Sequence, residues 1–234
     1  MVKIYLSPSN QSANRYCVGN TTEKVQMERL AAALKAVLEQ YYTCQVTIAT
    51  LSLGIGQSGR PKEAKNLGCD VYLALHSNAG GGGAASGAVA FYHPDSKTGK
   101  ALATAIVKEL GAICPVKSNR SAPVANGMLA FDGAGYGEVR TPTQYGLVSV
   151  LAETDFHDNP ATAQWIIDHT EEIAAAYARA LAQVLSIPQK AAGKKTLYKV
   201  QVGAYASKAN ADAMLSRLKA LGINGYIKSE EASN

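Results

Sequence analysis

Val71–Tyr72–Leu73–Ala74–Leu75–His76–Ser77–Asn78–Ala79–Gly80 is the stretch on which the fold turns. Five apolar or aromatic residues run straight into a histidine, and a glycine-rich stretch from Gly80 to Gly83 follows. A short apolar run bounded by turn residues reads as a buried strand, central in a parallel sheet. Open α/β sheets bind ligands just beyond the carboxyl ends of their strands, and His76 stands at such an end. An imidazole there can hold a metal or move a proton. Taken alone, it is equally a satisfied histidine at a strand terminus.

Working outward, a second buried run at 146–152 leads into Glu153–Thr154–Asp155–Phe156–His157–Asp158–Asn159–Pro160. Residues 2–6 read as a first strand, closed by Ser7–Pro8–Ser9–Asn10. A helix opens near Thr22, with Thr21 or Thr22 as N-cap, and Val25, Leu30, Leu34, Val37 and Leu38 recur at helical spacing up to Tyr41–Tyr42. Further strands are expected at 45–49 and 87–92. Helices are expected at 60–67 (opened by Pro61), at 100–110, and in two parts over 161–185. Residues 117–145 form a long glycine-rich region, read as a hairpin or lid; loops this long are often functional. Strands alternating with helices predict an α/β domain: a mostly parallel twisted sheet flanked by helices.

Residues 188–195 carry Pro and Gly without periodicity and read as a linker. They divide a domain at 1–187 from a small β-α-β fragment at 196–234, with strands expected at 196–204 and 225–228 around a helix at 208–221. Such a unit falls below the size at which a core is self-sufficient. The full 234 residues suffice for one good-sized core plus this fragment. No apolar stretch is long enough to span a bilayer. Residues 1–6 begin directly as a strand, without the apolar region of a signal peptide. The chain is therefore expected to be cytoplasmic until lysis, to have had an export signal removed, or to be exported by another route. Cys17, Cys44, Cys69 and Cys114 are scattered with no CxxC pair, which argues against a thiolate zinc site. The formal net charge of +5 favours a polyanionic partner such as a wall polymer. No basic cluster with interleaved aromatics points to nucleic acid.

Candidate chemistry gathers where strand ends and a helix start meet: Asn10, Glu23, His76, Glu153 and His157. A divalent metal with an open position needs about three protein ligands, commonly His and Glu. A neighbouring carboxylate that is not a ligand can take a proton from water. Each residue also has a plainer reading. Glu23 can simply favour the positive end of its helix, Glu153 can lie at the surface, and His157 and Asp158 can start the last helix with Asp158 as cap. His93 and His169 read as loop and exposed-helix residues, and Arg60 as a charge on a solvated helix.

These segments carry a resemblance. "LALHSNAG" at 73–80 resembles the "SIHANA" segment of the zinc-dependent N-acetylmuramoyl-L-alanine amidases, and "VLAETDFHDN" at 150–159 resembles their "VLVETGFLSN". The opening "KIYLSPSNQS" is similar to their "IVLDPGHGG", "TTE" at 21–23 sits where a glutamate ligand is expected, and Arg60 precedes "EAKNLGCDVYLALHSN" as an arginine does in the family. The resemblance covers about residues 2–185 and implies an α/β fold with a mostly six-stranded sheet. It implies zinc as cofactor, Glu23 and His76 as ligands, and Glu153 as the catalytic carboxylate. The family's first histidine ligand falls on Asn10, a poorer donor for zinc, and His157 is the candidate replacement. Asn10, Asn78 and Arg60 are then expected at the substrate. The tail "LYKVQVGAYASKANADAMLSRLKALGINGYI" at 197–227 resembles the first half of a SPOR domain, which binds glycan strands of peptidoglycan. Its apolar strand edge could pair with a second copy.

The resemblance implies hydrolysis of the amide between N-acetylmuramic acid and L-alanine in peptidoglycan. Zinc would polarise the carbonyl and activate water, Glu153 would move the proton, and residues 80–87 and 117–145 would line the groove. Two rivals stand beside it. One is a degenerate amidase fold that binds wall glycan without cutting it. The other is a metal-dependent hydrolase of a small cytosolic amide, against which the SPOR-like tail argues. Neither a GxGxxG after a strand nor a P-loop is present.

Overall fold

The computed structural model describes residues 1–190, 200–223 and 225–229. The chain divides into two compact units, Met1–Ala192 and Gly193–Asn234.

The first unit is built on one sheet. Its strands are β1 (Val2–Pro8), β2 (Cys44–Ile48), β3 (Val71–Asn78), β4 (Val89–Tyr92), β5 (Val124–Asn126) and β6 (Val148–Phe156). The strand order is β2-β1-β3-β6-β4-β5. The first four of these run parallel, β4 is antiparallel to β6, and β5 is parallel to β4. The run quoted above is therefore a central strand, with β1 on one side and β6 on the other.

Alternation along the strands sorts their side chains into two cores. Ile4, Leu6, Leu73, Leu75, Val150 and Ala152 belong to the larger core, with residues of α1 (Glu23–Tyr41), α3 (Lys97–Ile113), α5 (Pro160–Asp168) and α6 (Thr170–Val184). Tyr5, Tyr72, Ala74 and Leu151 belong to the smaller one, with Ala64 of α2 (Arg60–Asn66) and Val139 of α4 (Gly137–Gln144). Both faces of the sheet are covered, which is why β3 shows no apolar–polar alternation in sequence.

The helix α1 starts where its cap predicts: the Thr22 hydroxyl accepts from Val25 N. Met27, Leu30, Leu34 and Leu38 are its buried stripe. Two expectations change. Region 117–145 is neither a hairpin nor a bare lid. It contains the edge strand β5, a 3-10 turn at Gly127–Leu129, and α4. The helix was hidden because it opens on Gly137 without a side-chain cap and carries Pro142 inside. Strand β6 also runs further than its apolar stretch, so Glu153 lies within it, in register with His76. The register between β3 and β6 shifts just after that pair, between His76 and Asn78.

The end of the first unit is pinned beyond residue 187: Thr43 N donates to Pro188 O, and Lys190 N donates to Tyr41 O. Residues 188–190 of the expected linker thus belong with the first unit, and residues 191–195 lie outside the described ones. In the second unit α7 (Lys208–Ala220) forms as expected. Of the strand expected at 196–204, residues 196–199 are outside the described ones, and 200–204 carry no strand. Residues 225–228 carry none either. Two short segments without further strands to pair with do not make a stable sheet. Among the described residues no helix is long and apolar enough to cross a membrane.

Candidate active site

His76 sits near the carboxyl end of β3 and is buried. Its ring is held on both sides by carboxylates. Nδ1 lies 2.9 Å from Glu23 Oε1, and Nε2 lies 2.6 Å from Glu138 Oε2. Glu23 is the first residue of α1, where the helix dipole favours an acid. Its Oε2 accepts from Asn14 Nδ2 at 2.7 Å, and Ser77 N approaches Oε1 at 3.4 Å. Glu138 is the second residue of α4. Its Oε1 accepts from Ser7 Oγ at 2.7 Å and lies 3.3 Å from the Tyr72 hydroxyl. Beside this triad stands Glu153, whose Oε2 is enclosed with no hydrogen-bond partner.

The charges follow from that placement. Burial works against ionisation of both Glu23 and Glu138, but His76 and the hydroxyl and amide donors outweigh it and hold both carboxyls below their ordinary range. Burial likewise disfavours the charged imidazole, yet Glu138 and Glu23 dominate and raise His76 well above its usual value. Glu153 has no such donor. Burial pushes it up to about 7, with Glu23 and Glu138 adding repulsion and His76 opposing them. Its carboxyl is therefore poised to give and take a proton near neutrality.

The other expected residues lie apart from this pair. His157 is buried, its Nδ1 3.0 Å from Ser77 Oγ and its ring stacked on Tyr16 at 5.1 Å. Its Nδ1 faces Ser77 and not the carboxylates that hold His76. Asn10 is exposed just past β1. Asn78 lines a cleft with Phe91, Arg120 and Phe156. Arg60 is a correction: only 1% of it is exposed, so it is neither solvated nor free to meet a polymer. Its guanidinium donates to Ser7 Oγ, Pro8 O, Leu53 O and Leu51 O, tying the loop after β2 to the end of β1. Asp158 is not the helix cap. Asn159 caps α5, while Asp158 Oδ2 accepts from Gly80 N and Gly81 N and anchors the glycine-rich turn.

Sequence reading missed Glu138, with its props Ser7 and Tyr72. An acid in the first turn of a capless helix carries no periodic signal, and its partners are 131 and 66 residues away.

A divalent cation can be tested against these residues. Among the described residues no three His, Cys, Asp or Glu side chains stand as a finished ligand cage. The donor chemistry nevertheless fits. Three carboxylates crowd one imidazole in a buried place, and one carboxylate oxygen has no partner at all. Buried negative charge in excess calls for a cation or for protons. Glu23 and the Nδ1 of His76 are suitable N and O donors for zinc.

An imidazole and acids near the carboxyl ends of parallel strands, with an unpaired carboxyl oxygen alongside, make an acid–base site on an α/β fold. Residues 5–183 match the family N-acetylmuramoyl-L-alanine amidase, and the chain belongs to it. Residues 169–229 match the SPOR domain. The sporulation-specific N-acetylmuramoyl-L-alanine amidase of Bacillus subtilis (strain 168) is 26% identical over 97% of this chain and 84% of its own length. The N-acetylmuramoyl-L-alanine amidase CwlM of Bacillus licheniformis is 25% identical over 97% and 85%. Among solved structures, the catalytic domain of CwlV from Bacillus (Paenibacillus) polymyxa superposes with a TM-score of 0.66 at 18% identity, covering 80% of this chain and 100% of that one. The CwlD amidase of Clostridioides difficile, solved with the GerS lipoprotein, gives 0.64 at 19%, covering 80% and 99%. At such identities the structures speak for the fold. The sheet, the helices and the enzyme class expected from the sequence are thereby borne out.

Proposed function

We propose that this amidase is zinc-dependent and cleaves the amide joining the lactyl group of N-acetylmuramic acid to the L-alanine of the stem peptide, as an autolysin or endolysin. One observation carries the reading: a half-buried Glu153, its Oε2 enclosed without a hydrogen-bond partner, in register with a histidine flanked by Glu23. Glu23 and His76 would hold the metal. Zinc in that position supplies Lewis acidity for the carbonyl and lowers the pKa of a bound water. Glu153 takes the proton from the attacking water and returns it to the leaving alanine nitrogen, a task suited to a carboxyl near 7. Asn78, in the cleft with Arg120 and Phe156, would meet the substrate. The SPOR-like unit would add affinity for glycan strands.

The test is dye release from purified cell walls, with and without a chelator and with zinc restored, alongside metal analysis of the protein. Cleavage that needs zinc and disappears in Glu153→Gln is the expected result. A second reading, wall binding without cleavage, draws on Asn10 standing exposed where the family has a histidine ligand. It predicts protein that sediments with walls, carries no zinc and releases no dye.

A further inference from the structure

Resting on the zinc reading above, we propose that Glu138 is a positioning residue, which fixes the proton of His76 on Nε2 and so reserves Nδ1 for the metal. The two sides of the ring are not equivalent. Both flanking carboxylates are buried, and Glu138 on the Nε2 side is backed by the buried Ser7, Tyr72 and Arg60. The Nδ1 side faces Glu23, whose neighbour Asn14 belongs to the loop after β1, with residues 10–13 exposed to solvent. That exposed loop adjoins the second side, so a metal meeting a polymer would be approached from there. The partner on a ligand histidine's other nitrogen sets its tautomer and ring orientation.

Hydrogen-bond direction makes the assignment specific. Arg60 Nη1 can only donate, and it gives a hydrogen bond to Ser7 Oγ at 3.0 Å. The Tyr72 hydroxyl also lies 3.0 Å from Ser7 Oγ and donates to it. The proton of Ser7 is therefore free to go to Glu138 Oε1 at 2.7 Å. That oxygen must accept, which leaves Oε2 to take Nε2–H at 2.6 Å. In Glu138→Gln the same Ser7 donor keeps the amide oxygen on its side. The amide NH2 then turns to His76 and demands an acceptor at Nε2. The neutral ring must carry its proton on Nδ1, where it blocks metal coordination. An isosteric change of one atom, outside the ligand set, thus turns the histidine away from the ion.

The experiment has two arms on the full chain. Zinc affinity is measured by chelator competition for the parent and for Glu138→Gln, with the melting temperature of the zinc-free forms as a check on folding. We expect affinity weakened by about 10–100-fold, the effect of losing such an outer partner, with cleavage at saturating zinc falling far less. Ring 15N shifts of His76 in the zinc-loaded parent then read the bound nitrogen directly, with no mutation. Zinc on Nδ1 with a proton on Nε2 is expected. Equal zinc affinity in a folded Glu138→Gln, or zinc on Nε2, overturns the inference while leaving zinc dependence intact. A parent that binds no zinc at all overturns the zinc reading itself, and this inference with it.

Discussion

His76 and His157 make the instructive comparison. Both end a neighbouring central strand at the same edge of the sheet, and both are buried. His76 meets carboxylates at both nitrogens, whereas His157 meets the Ser77 hydroxyl and the face of Tyr16. A histidine at a strand end is thus a reactive centre or a packing element according to what the adjoining helices bring to it. Two first-turn acids, Glu23 of α1 and Glu138 of α4, make that difference.

The contrast is open to attack, most severely through His76 itself. His76→Ala should abolish bound zinc and wall cleavage together, read by metal analysis and dye release; activity surviving without zinc would break the comparison. Next comes Glu153→Gln. It should lower cleavage by about 10³-fold, within the range for loss of a general acid–base group, while zinc content stays at the parent level.

The same variant sharpens the electrostatic side. Glu153 rises from an ordinary 4.5 to about 7 on folding. Between those values the unfolded chain has released a proton that the folded one keeps, so Glu153's contribution to zinc-free stability falls as pH rises from about 4.5 to 7 and then levels off. Glu153→Gln removes that loss. With chelator present it should be more stable than the parent at pH 8, by up to about 3 kcal/mol, and match it near pH 4. Denaturant melts at the two pH values decide it; equal stability at pH 8 would show Glu153 ionised without cost. Smallest is His157→Ala. It should leave zinc content unchanged and cost about 1–2 kcal/mol of stability, as a lost buried contact does. Zinc lost with His157 would return it to the ligand set and erase the distinction drawn here.

Some of this was readable in the chain. The apolar runs ending at His76 and Glu153, the Thr22 cap before Glu23, and the alternation of strands with helices placed three of the four central residues at one edge of one sheet. Those are short-range signals, in which a strand announces itself by its apolar content and a helix by its cap and spacing. Arg60 misled because a lone arginine on a short helix looks solvated. Only the tertiary structure supplies the carbonyls of Leu51, Leu53 and Pro8 that allow its burial.

The sequence by itself therefore determined the layered α/β fold, the strand edge at which chemistry collects, and the family. Tertiary structure alone decided which histidine is held between two carboxylates, that Glu138 is one of them, and that Glu153 Oε2 is left without a donor. The reason is range. Secondary structure is written in neighbours a few residues apart, whereas the protonation of a buried group is set by whichever charges folding brings within hydrogen-bond reach. Here those come from residues 53 and 62 positions away from His76.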